Sequence, residues 1–202
     1  MRIIGGKKKG AQIHAPGNIP TRPTTDRSKE SLFNILHNLH DLEECKVLDL
    51  FAGTGGISLE FASREAMTIT AVDRNSTCAR FLRHEAARHD FTQIEVIQED
   101  VMRYLRNCPD NYDIIFADPP YDIFEHYWEM VDLIFERPVL SQKGTLALEH
   151  YRTRQFDAHP RFFRTRAYGQ NVLSFFDFAF SGERSAQAGK NQDRSENASE
   201  DH

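Results

Sequence analysis

The chain has 202 residues and a mass of 23.3 kDa, room for one medium-sized domain with short extensions. Hydrophobic residues make up 40% and charged residues 27% of it, near the globular average, which excludes a wholly disordered chain. No apolar run approaches the roughly 18–20 residues that cross a bilayer, and the first residues lack a signal-peptide core. The three widely spaced cysteines predict neither a zinc knuckle nor a disulfide framework, so we expect a soluble, cytoplasmic protein.

The net charge of −5 averages over unlike segments. Residues 1–30 carry seven Lys and Arg against two Asp and Glu, whereas residues 31–151 carry 10 basic and 21 acidic side chains. Residues 152–180 are basic again, with five arginines and two aspartates. Two basic segments on an acidic body can bind a polyanion locally whatever the total charge, although the same side chains could form a solvated face.

Residues 2–14 predict a short β-hairpin with a lysine run in its turn. A proline-rich loop follows, and Thr25 or Asp26 is predicted to cap a helix. The apolar spacing of that helix predicts one buried face formed by Leu32, Phe33, Leu36 and Leu39.

Apolar strands then alternate with amphipathic helices. The predicted strands are residues 47–51, 67–72, 94–97, 112–117 and 144–149, followed by a hairpin of residues 162–168 and 172–178. The predicted helices are residues 57–63, 76–89, 100–105 and 124–135. This alternation predicts an α/β fold with a doubly wound, mainly parallel sheet, in which ligands bind at the carboxyl ends of the strands.

The composition divides the chain into three predicted regions. Residues 1–45 form a basic hairpin, loop and helix, and residues 46–180 form the α/β domain. From residue 181 the chain loses its large apolar residues, so residues 181–202 are predicted to be a disordered tail.

A glycine-rich turn, Asp49-Leu50-Phe51-Ala52-Gly53-Thr54-Gly55, follows the first strand. Ser58 replaces the third glycine of a dinucleotide-binding turn, and no P-loop ending is present, which disfavours a nicotinamide dehydrogenase. Glycines let a ligand approach the backbone closely, and the preceding carboxylate suits the ammonium group of S-adenosylmethionine. The alternative is a structural turn without a ligand.

Two further acids follow the next two strands. Asp73 stands where a carboxylate can bind a ribose diol, and Asp100 where one could receive an adenine amino group. Each could instead cap the helix that follows it. Three acids at the ends of three successive strands, together with the glycine turn, predict a nucleoside cofactor.

The tetrapeptide Asp118-Pro119-Pro120-Tyr121 follows strand 112–117. Its prolines make the turn rigid and remove two N–H donors. Asp118 and the Pro119 carbonyl could accept both N–H bonds of an exocyclic base amine and aim its lone pair at a methyl donor, with no metal. Tyr121 could stack on the base, a contact worth roughly 1–3 kcal/mol. The alternative is a structural Pro-Pro turn.

In their order, these motifs resemble those of class I S-adenosylmethionine-dependent methyltransferases that act on exocyclic base amines. Residues 2–6 (Arg-Ile-Ile-Gly-Gly) and 22–34 (from Arg-Pro-Thr-Thr-Asp-Arg to Leu-Phe-Asn) closely resemble the bacterial 16S rRNA (guanine(966)-N(2))-methyltransferases. The resemblance covers about residues 1–180 and implies a Rossmann-like seven-stranded sheet whose last strand is antiparallel. It also implies methyl transfer to a guanine N2 amine by a monomer acting on 16S rRNA, within the small subunit or a late assembly intermediate.

Carried over residue by residue, the resemblance implies three groups of site residues. The cofactor-binding group is Asp49, Phe51, Gly53, Gly55, Asp73, Arg74, Asp100, Val101 and Thr24. The catalytic group is Asp118, Pro119, Pro120 and Tyr121. The RNA-binding group is Lys7, Lys8, Lys9, Arg22 and Arg27.

Two other functions stay open at this point. One is a DNA or other RNA amino-methyltransferase acting on adenine N6 or cytosine N4, although the motifs lie too close together for a large target-recognition insert. The other is a non-catalytic RNA-binding assembly factor on the same fold, which the intact motifs disfavour.

Overall fold

The structure is a computed structural model that describes residues 1–17, 25–120 and 126–178. Its strands are β1 (Lys46–Leu50), β2 (Thr68–Val72), β3 (Ile94–Ile97), β4 (Tyr112–Ala117), β5 (Leu140–Tyr151), β6 (Phe162–Tyr168) and β7 (Asn171–Asp177). Its helices are α1 (Asp26–Leu39), α2 (Gly56–Ser63), α3 (Ser76–Arg88), α4 (Val101–Asn107) and α5 (Tyr127–Glu136). The predicted tail of residues 181–202 lies outside the described residues.

The seven strands form one sheet in the order β3-β2-β1-β4-β5-β7-β6. Neighbours among β1 to β5 pair in parallel, whereas β7 is antiparallel to both β5 and β6. The predicted doubly wound sheet is thereby confirmed, including its antiparallel last strand. We call the edge where β1 to β5 end the carboxyl edge and the opposite one the amino edge.

Helix α1 begins where its cap was predicted. The Thr25 hydroxyl accepts a hydrogen bond from the Ser28 amide at 3.2 Å, which satisfies a free donor of the first turn. The buried face contains Leu32, Phe33, Ile35 and Leu36. The prediction for Leu39 was wrong, because α1 ends there and the side chain is 41% exposed.

Strand β5 is longer than the predicted 144–149. It begins at Leu140, which pairs with Tyr112 before the register shifts and Thr145 pairs with Ile114. The bulge breaks the simple alternation of buried and exposed side chains, so the first residues of the strand carry a weak pattern. Helix α5 is described from Tyr127, and the earlier part of its predicted span reaches into residues 121–125, outside the described residues.

The buried residues form two clusters, one on each face of the sheet. Side chains of α1, α2 and α3 pack with alternate residues of the strands in the first cluster, and those of α4 and α5 pack in the second. Ile3 and Ile13 of the hairpin, both at most 2% exposed, belong to the first cluster. The hairpin and α1 therefore share a hydrophobic core with the α/β domain.

The N-terminal hairpin is pinned to the end of α2. Its two arms meet in an antiparallel bridge between Arg2 and Gln12. The Lys7 amide donates to the Ser63 carbonyl oxygen at 2.7 Å. At Gly6, with φ +71°, an added Cβ would lie 1.9 Å from that same oxygen, so only glycine allows this approach. The hairpin turn is thus fixed at the carboxyl-terminal end of α2.

A buried carboxylate, Glu60 of α2, joins three parts of the chain. Its Oε2 accepts from the Ile4 amide at 2.8 Å and lies 3.5 Å from the Lys29 ammonium, while Oε1 accepts from Arg64. Lys29 also donates to the Arg2 carbonyl oxygen. The side chains of Glu60 and Lys29 are 0% and 1% exposed, so hairpin, α1 and α2 meet at a fully desolvated ion pair.

We expect Glu60→Gln to lower the free energy of unfolding by about 3–5 kcal/mol, because it leaves the Lys29 ammonium buried without its partner charge. Urea denaturation measures the change. The matched control is Glu99→Gln, which breaks the exposed ion pair with Arg103 and should cost about 0–1 kcal/mol. Equal losses in the two variants would contradict the structural role of Glu60.

Candidate functional site

One cavity of about 760 Å³ opens at the carboxyl edge, where the loops after β1, β2, β3 and β4 converge. Ten of the residues predicted to form a site line it: Asp49, Phe51, Gly53, Asp73, Arg74, Asp100, Val101, Asp118, Pro119 and Pro120. Motifs that are as far apart as 71 positions in the chain therefore meet in one place because their strands are parallel neighbours.

Asp49 forms the inner end of the cavity. Its side chain is buried, and its Oδ2 accepts hydrogen bonds from the amide of Ser58, at 3.0 Å, and from the Ser58 hydroxyl. Burial raises the pKa of Asp49 to about 7, against the opposing effect of these two bonds. In the sequence, Ser58 was notable only because it replaces a glycine. In the structure, its hydrogen bonds to Asp49 connect strand β1 to helix α2.

The glycine-rich turn needs backbone conformations that few residues adopt. Phe51 has φ +61° and Gly53 has φ +53°, both in the left-handed region. A non-glycine residue held there costs on the order of 1–3 kcal/mol, and such strain is often found at ligand sites. Gly55 does not line the cavity: with φ +77° it precedes α2 and packs on Leu82, where a Cβ would lie 2.1 Å from Cδ1.

Asp73 connects the first two motifs. Its Oδ2 accepts from the Gly53 amide at 2.7 Å and its Oδ1 from the Asn75 amide at 2.7 Å. It is not the cap of α3, because the Asn75 side chain accepts from the amides of Thr77 and Cys78 and takes that role. Asp73 therefore holds the glycine turn in place while its carboxylate lines the cavity.

Asp100 combines the two roles that the sequence left open. Its Oδ1 accepts from the Arg103 amide at 3.0 Å, which caps α4, and the exposed side chain also lines the cavity. Its neighbours Val101 and Met102 contribute an apolar wall.

Asp118 directly follows β4 and is partly buried. Burial, followed by the negative charges of Glu149 and Asp49, raises the pKa of Asp118 well above its ordinary value. Glu149 belongs to β5, which pairs with β4, and its Oε1 accepts from Asn171 at 2.7 Å. Glu149 was not predicted from the sequence, although an acid near the end of a buried strand indicates a residue at the carboxyl edge.

Tyr127, at the start of α5, holds the proline turn. Its buried hydroxyl donates to the Pro119 carbonyl oxygen at 2.6 Å. This bond orients one of the two acceptors predicted for a substrate amine. Because a carbonyl oxygen has two lone pairs, it can accept a second hydrogen bond.

An ion cluster stands beside the turn at the rim of the cavity. Glu129 of α5 accepts from Arg106 of α4 at 2.7 Å and from His126 at 3.0 Å. The hydrogen bond from Arg106, followed by that from His126, lowers the pKa of Glu129. None of these three residues stood in a recognisable motif.

The predicted RNA-binding residues do not gather at the cavity. Lys7, Lys8 and Lys9 lie at the carboxyl-terminal end of α2, which runs back to the amino edge, where Met67 bonds to the residue before β1. Lys7 is exposed and ion-paired with Glu65. Arg27 lies on the first turn of α1. Arg22, Thr24 and Tyr121 lie outside the described residues.

The described residues contain neither a candidate metal site nor a candidate membrane-spanning helix. In residues 1–17, 25–120 and 126–178, no three His, Cys, Asp or Glu side chains are grouped so as to hold a metal ion. Within the same ranges, no helix combines the length and the apolar character needed to cross a membrane.

Comparison with known proteins gave consistent matches. The profile of the family described as "Conserved hypothetical protein 95" matches residues 1–177. YlbH of Bacillus subtilis is 34% identical over 156 residues, 75% of this chain and 83% of that protein. Ribosomal RNA small subunit methyltransferase D of Haemophilus influenzae is 32% identical over 154 residues, 74% and 78% of the two chains. The protein of the same name in Escherichia coli is matched over 60% of its length.

Solved structures agree with these matches. YhhF of Escherichia coli superposes with a TM-score of 0.77 at 25% identity, covering 87% of this chain and 96% of that one. A SAM-dependent methyltransferase of Agrobacterium tumefaciens, 22% identical, shares the fold with a TM-score of 0.59 over 74% of this chain and 62% of its own.

The fold is that of class I methyltransferases. The predicted family resemblance is confirmed, and the chain belongs to the family of conserved hypothetical protein 95, whose members similar to this chain include small-subunit rRNA methyltransferases.

Proposed function

We propose that this chain transfers a methyl group from S-adenosylmethionine to the exocyclic N2 amine of a guanine in 16S rRNA. It acts as a cytoplasmic monomer on the small ribosomal subunit or a late assembly intermediate. The observation that carries the proposal is that one cavity joins the carboxylates of a nucleoside site to the Asp118-Pro119-Pro120 turn. The names of the relatives support rRNA as substrate, and the N-terminal motif supports guanine N2.

The residues of the cavity fit the cofactor. A volume of about 760 Å³ lies within the range of about 300–1,000 Å³ usual for small-molecule sites. Asp73 and Asp100 offer acceptors for ribose hydroxyls and an adenine amine, and Val101 offers an apolar surface and an amide for the ring. Asp49 and the strained turn at Phe51 would hold the amino-acid end.

The turn after β4 would position the substrate amine. Bound S-adenosylmethionine supplies an electrophilic methyl group. The Asp118 carboxylate and the Pro119 carbonyl accept the two N–H bonds of the amine, which leaves its lone pair free to point into the cavity. Since no covalent intermediate forms on the protein, the rate gain comes mainly from this positioning.

Asp118 would also take the proton. When the new N–C bond forms and the S–C bond breaks, the amine nitrogen must lose one hydrogen. The raised pKa of Asp118 makes its carboxylate a stronger base than an ordinary aspartate, so it accepts this proton and passes it to water. Asp49 and Glu149 sustain that basicity by their negative charges.

The substrate strand would contact basic side chains outside the cavity. Arg22 and Arg27 would place RNA near the entrance, with Tyr121 against the target base and Thr24 near the cofactor. Lys7, Lys8 and Lys9 would contact phosphates of the folded RNA at the amino edge, at least an α2 length, roughly 12 Å, from the cavity. The target base would have to leave its stack, at a cost of a few kcal/mol.

We expect N2-methylguanosine when the chain is incubated with labelled S-adenosylmethionine and unmethylated small ribosomal subunits. Mass analysis of the nucleosides identifies the product. Methylated adenine or cytosine would overturn the choice of base while retaining the chemistry. Binding of the cofactor without transfer to subunits, free rRNA or DNA would overturn the proposed reaction.

We expect Asp118→Ala to reduce kcat roughly 10²–10⁴-fold, because the variant lacks both an acceptor for the amine and the base that removes its proton. Affinity for S-adenosylmethionine, measured by calorimetry, should stay within several-fold. Glu136→Ala, which removes an exposed carboxylate at the end of α5, is the control and should retain wild-type turnover. Unchanged turnover in the Asp118 variant would remove the residue from the mechanism.

The pH dependence of kcat/KM should reveal the same group. Because the pKa of Asp118 is raised, the carboxylate form is scarce at low pH, and kcat/KM should rise with pH through that pKa. Asp118→Asn keeps an oxygen acceptor but does not titrate. The rise of kcat/KM on the acidic side of the pH profile should therefore be smaller in this variant. Asp49, with a pKa of about 7, is present in both proteins and accounts for any rise of kcat/KM with pH that remains in the variant. Identical profiles would contradict the assignment.

A further inference from the structure

The second basic segment of the chain has no part in the reaction derived above. The structure places two of its arginines, Arg164 and Arg166, on the exposed middle of β6. A groove of about 330 Å³ separates that strand from α1 and is lined by Arg27, Ser31 and residues 165–168. Residues 164 and 166 are two apart on a strand, so both side chains leave the same face of the sheet.

The register of the sheet locates this groove beside the reacting turn. Arg166 pairs with Leu173 of β7, and Leu173 pairs with Glu149 of β5. Leu148 pairs with Ala117, so the next residues, Glu149 and Asp118, stand at the same level. Arg166 and Asp118 are therefore three strand spacings apart, roughly 14 Å. A strand of nucleic acid that reaches the cavity passes within reach of the groove.

The face of the groove is the same one that α1 covers. Leu173 and Phe175, the partners of Arg166 and Arg164, are buried in the cluster that contains the apolar residues of α1. The ring of Tyr168 also packs against this cluster. The backbone that carries Arg164 and Arg166 is therefore fixed against the core.

The arginines at the groove are not held in salt bridges within the described part of the chain. Among residues 1–17, 25–120 and 126–178, no carboxylate lies within 4 Å of Arg27, Arg164 or Arg166 in a salt bridge. On the far side of the sheet, by contrast, the exposed Arg103 and Arg106 pair with Glu99 and Glu129. Cationic side chains that are not held in ion pairs favour an anion that neutralises them.

We propose that the groove between α1 and β6, lined by Arg27 and Arg166 and with Arg164 beside it on the same face of β6, binds the phosphates of the RNA segment adjacent to the target base. Guanidinium groups form two parallel hydrogen bonds to a phosphate, which suits them for holding a strand in register. Charged residues on an outermost strand also prevent edge-to-edge aggregation, but that role does not require a third arginine from the facing helix. The inference rests on the proposed function, since it takes RNA as the substrate.

The test compares the double variant R164Q/R166Q with the control R137Q/K143Q, whose exposed cations lie after α5 and near the start of β5, where no RNA contact is assigned. Binding to unmethylated small ribosomal subunits is measured by sedimentation between about 50 and 200 mM salt. Each phosphate contact in a single strand contributes about 0.7 to the slope of log affinity against log salt, so the double variant should have a slope shallower by about 1.4. The control should retain the wild-type slope.

Affinity for S-adenosylmethionine reports whether the double variant has kept its fold, since neither substituted side chain lines the cofactor cavity. If the double variant binds cofactor normally and has the wild-type salt slope, the groove does not bind phosphates, and the proposed function stays intact. A wild-type protein that neither binds nor methylates subunits would overturn both. A weaker, less salt-dependent double variant beside a normal control would establish the groove as a phosphate site.

Discussion

The site depends on the hydrogen bonds that Ser58 donates to the buried carboxylate of Asp49. They join the end of the central strand to the first turn of α2, so the chain between them has to fold back through left-handed conformations at Phe51 and Gly53. Asp73 then bonds to the Gly53 amide and adds the end of β2 to the same unit. The shape of the cavity at its inner end follows from these few bonds.

The same edge of the sheet concentrates negative charge. Asp49, Asp118 and Glu149 lie at or near the ends of three adjacent strands; Asp49 and Glu149 are buried, and Asp118 is partly buried. Burial, together with the charges of neighbouring acids, raises the pKa of Asp49 and of Asp118. Such an arrangement costs stability, but under the proposed function it favours binding of a cationic cofactor and removal of a proton from an amine. Function and stability therefore place opposite demands on these carboxylates.

Local patterns predicted most of the fold, because strands, helices and the acids that follow them are encoded in neighbouring residues. The parallel order then brings Asp73, Asp100 and Asp118 together by geometry alone. The sequence did not reveal which polar atoms would meet: Ser58 with Asp49, Tyr127 with Pro119, or Glu149 near Asp118. Those pairings depend on how the helices pack against the sheet. In the sequence, neither Ser58 nor Tyr127 differs from an ordinary helix residue. The location of Lys7 at the amino edge likewise depends on a tertiary contact with Ser63.

Helix α2 is only eight residues long and is clamped at both ends. Its first turn bonds to Asp49 in the cavity, and its last residue bonds to the hairpin turn that carries the lysines. The two contacts connect the cavity to the hairpin through a single short helix. If the hairpin binds RNA as proposed, thermodynamic reciprocity requires that any change which bound cofactor makes in its affinity for RNA equals the change which RNA makes in the affinity for the cofactor.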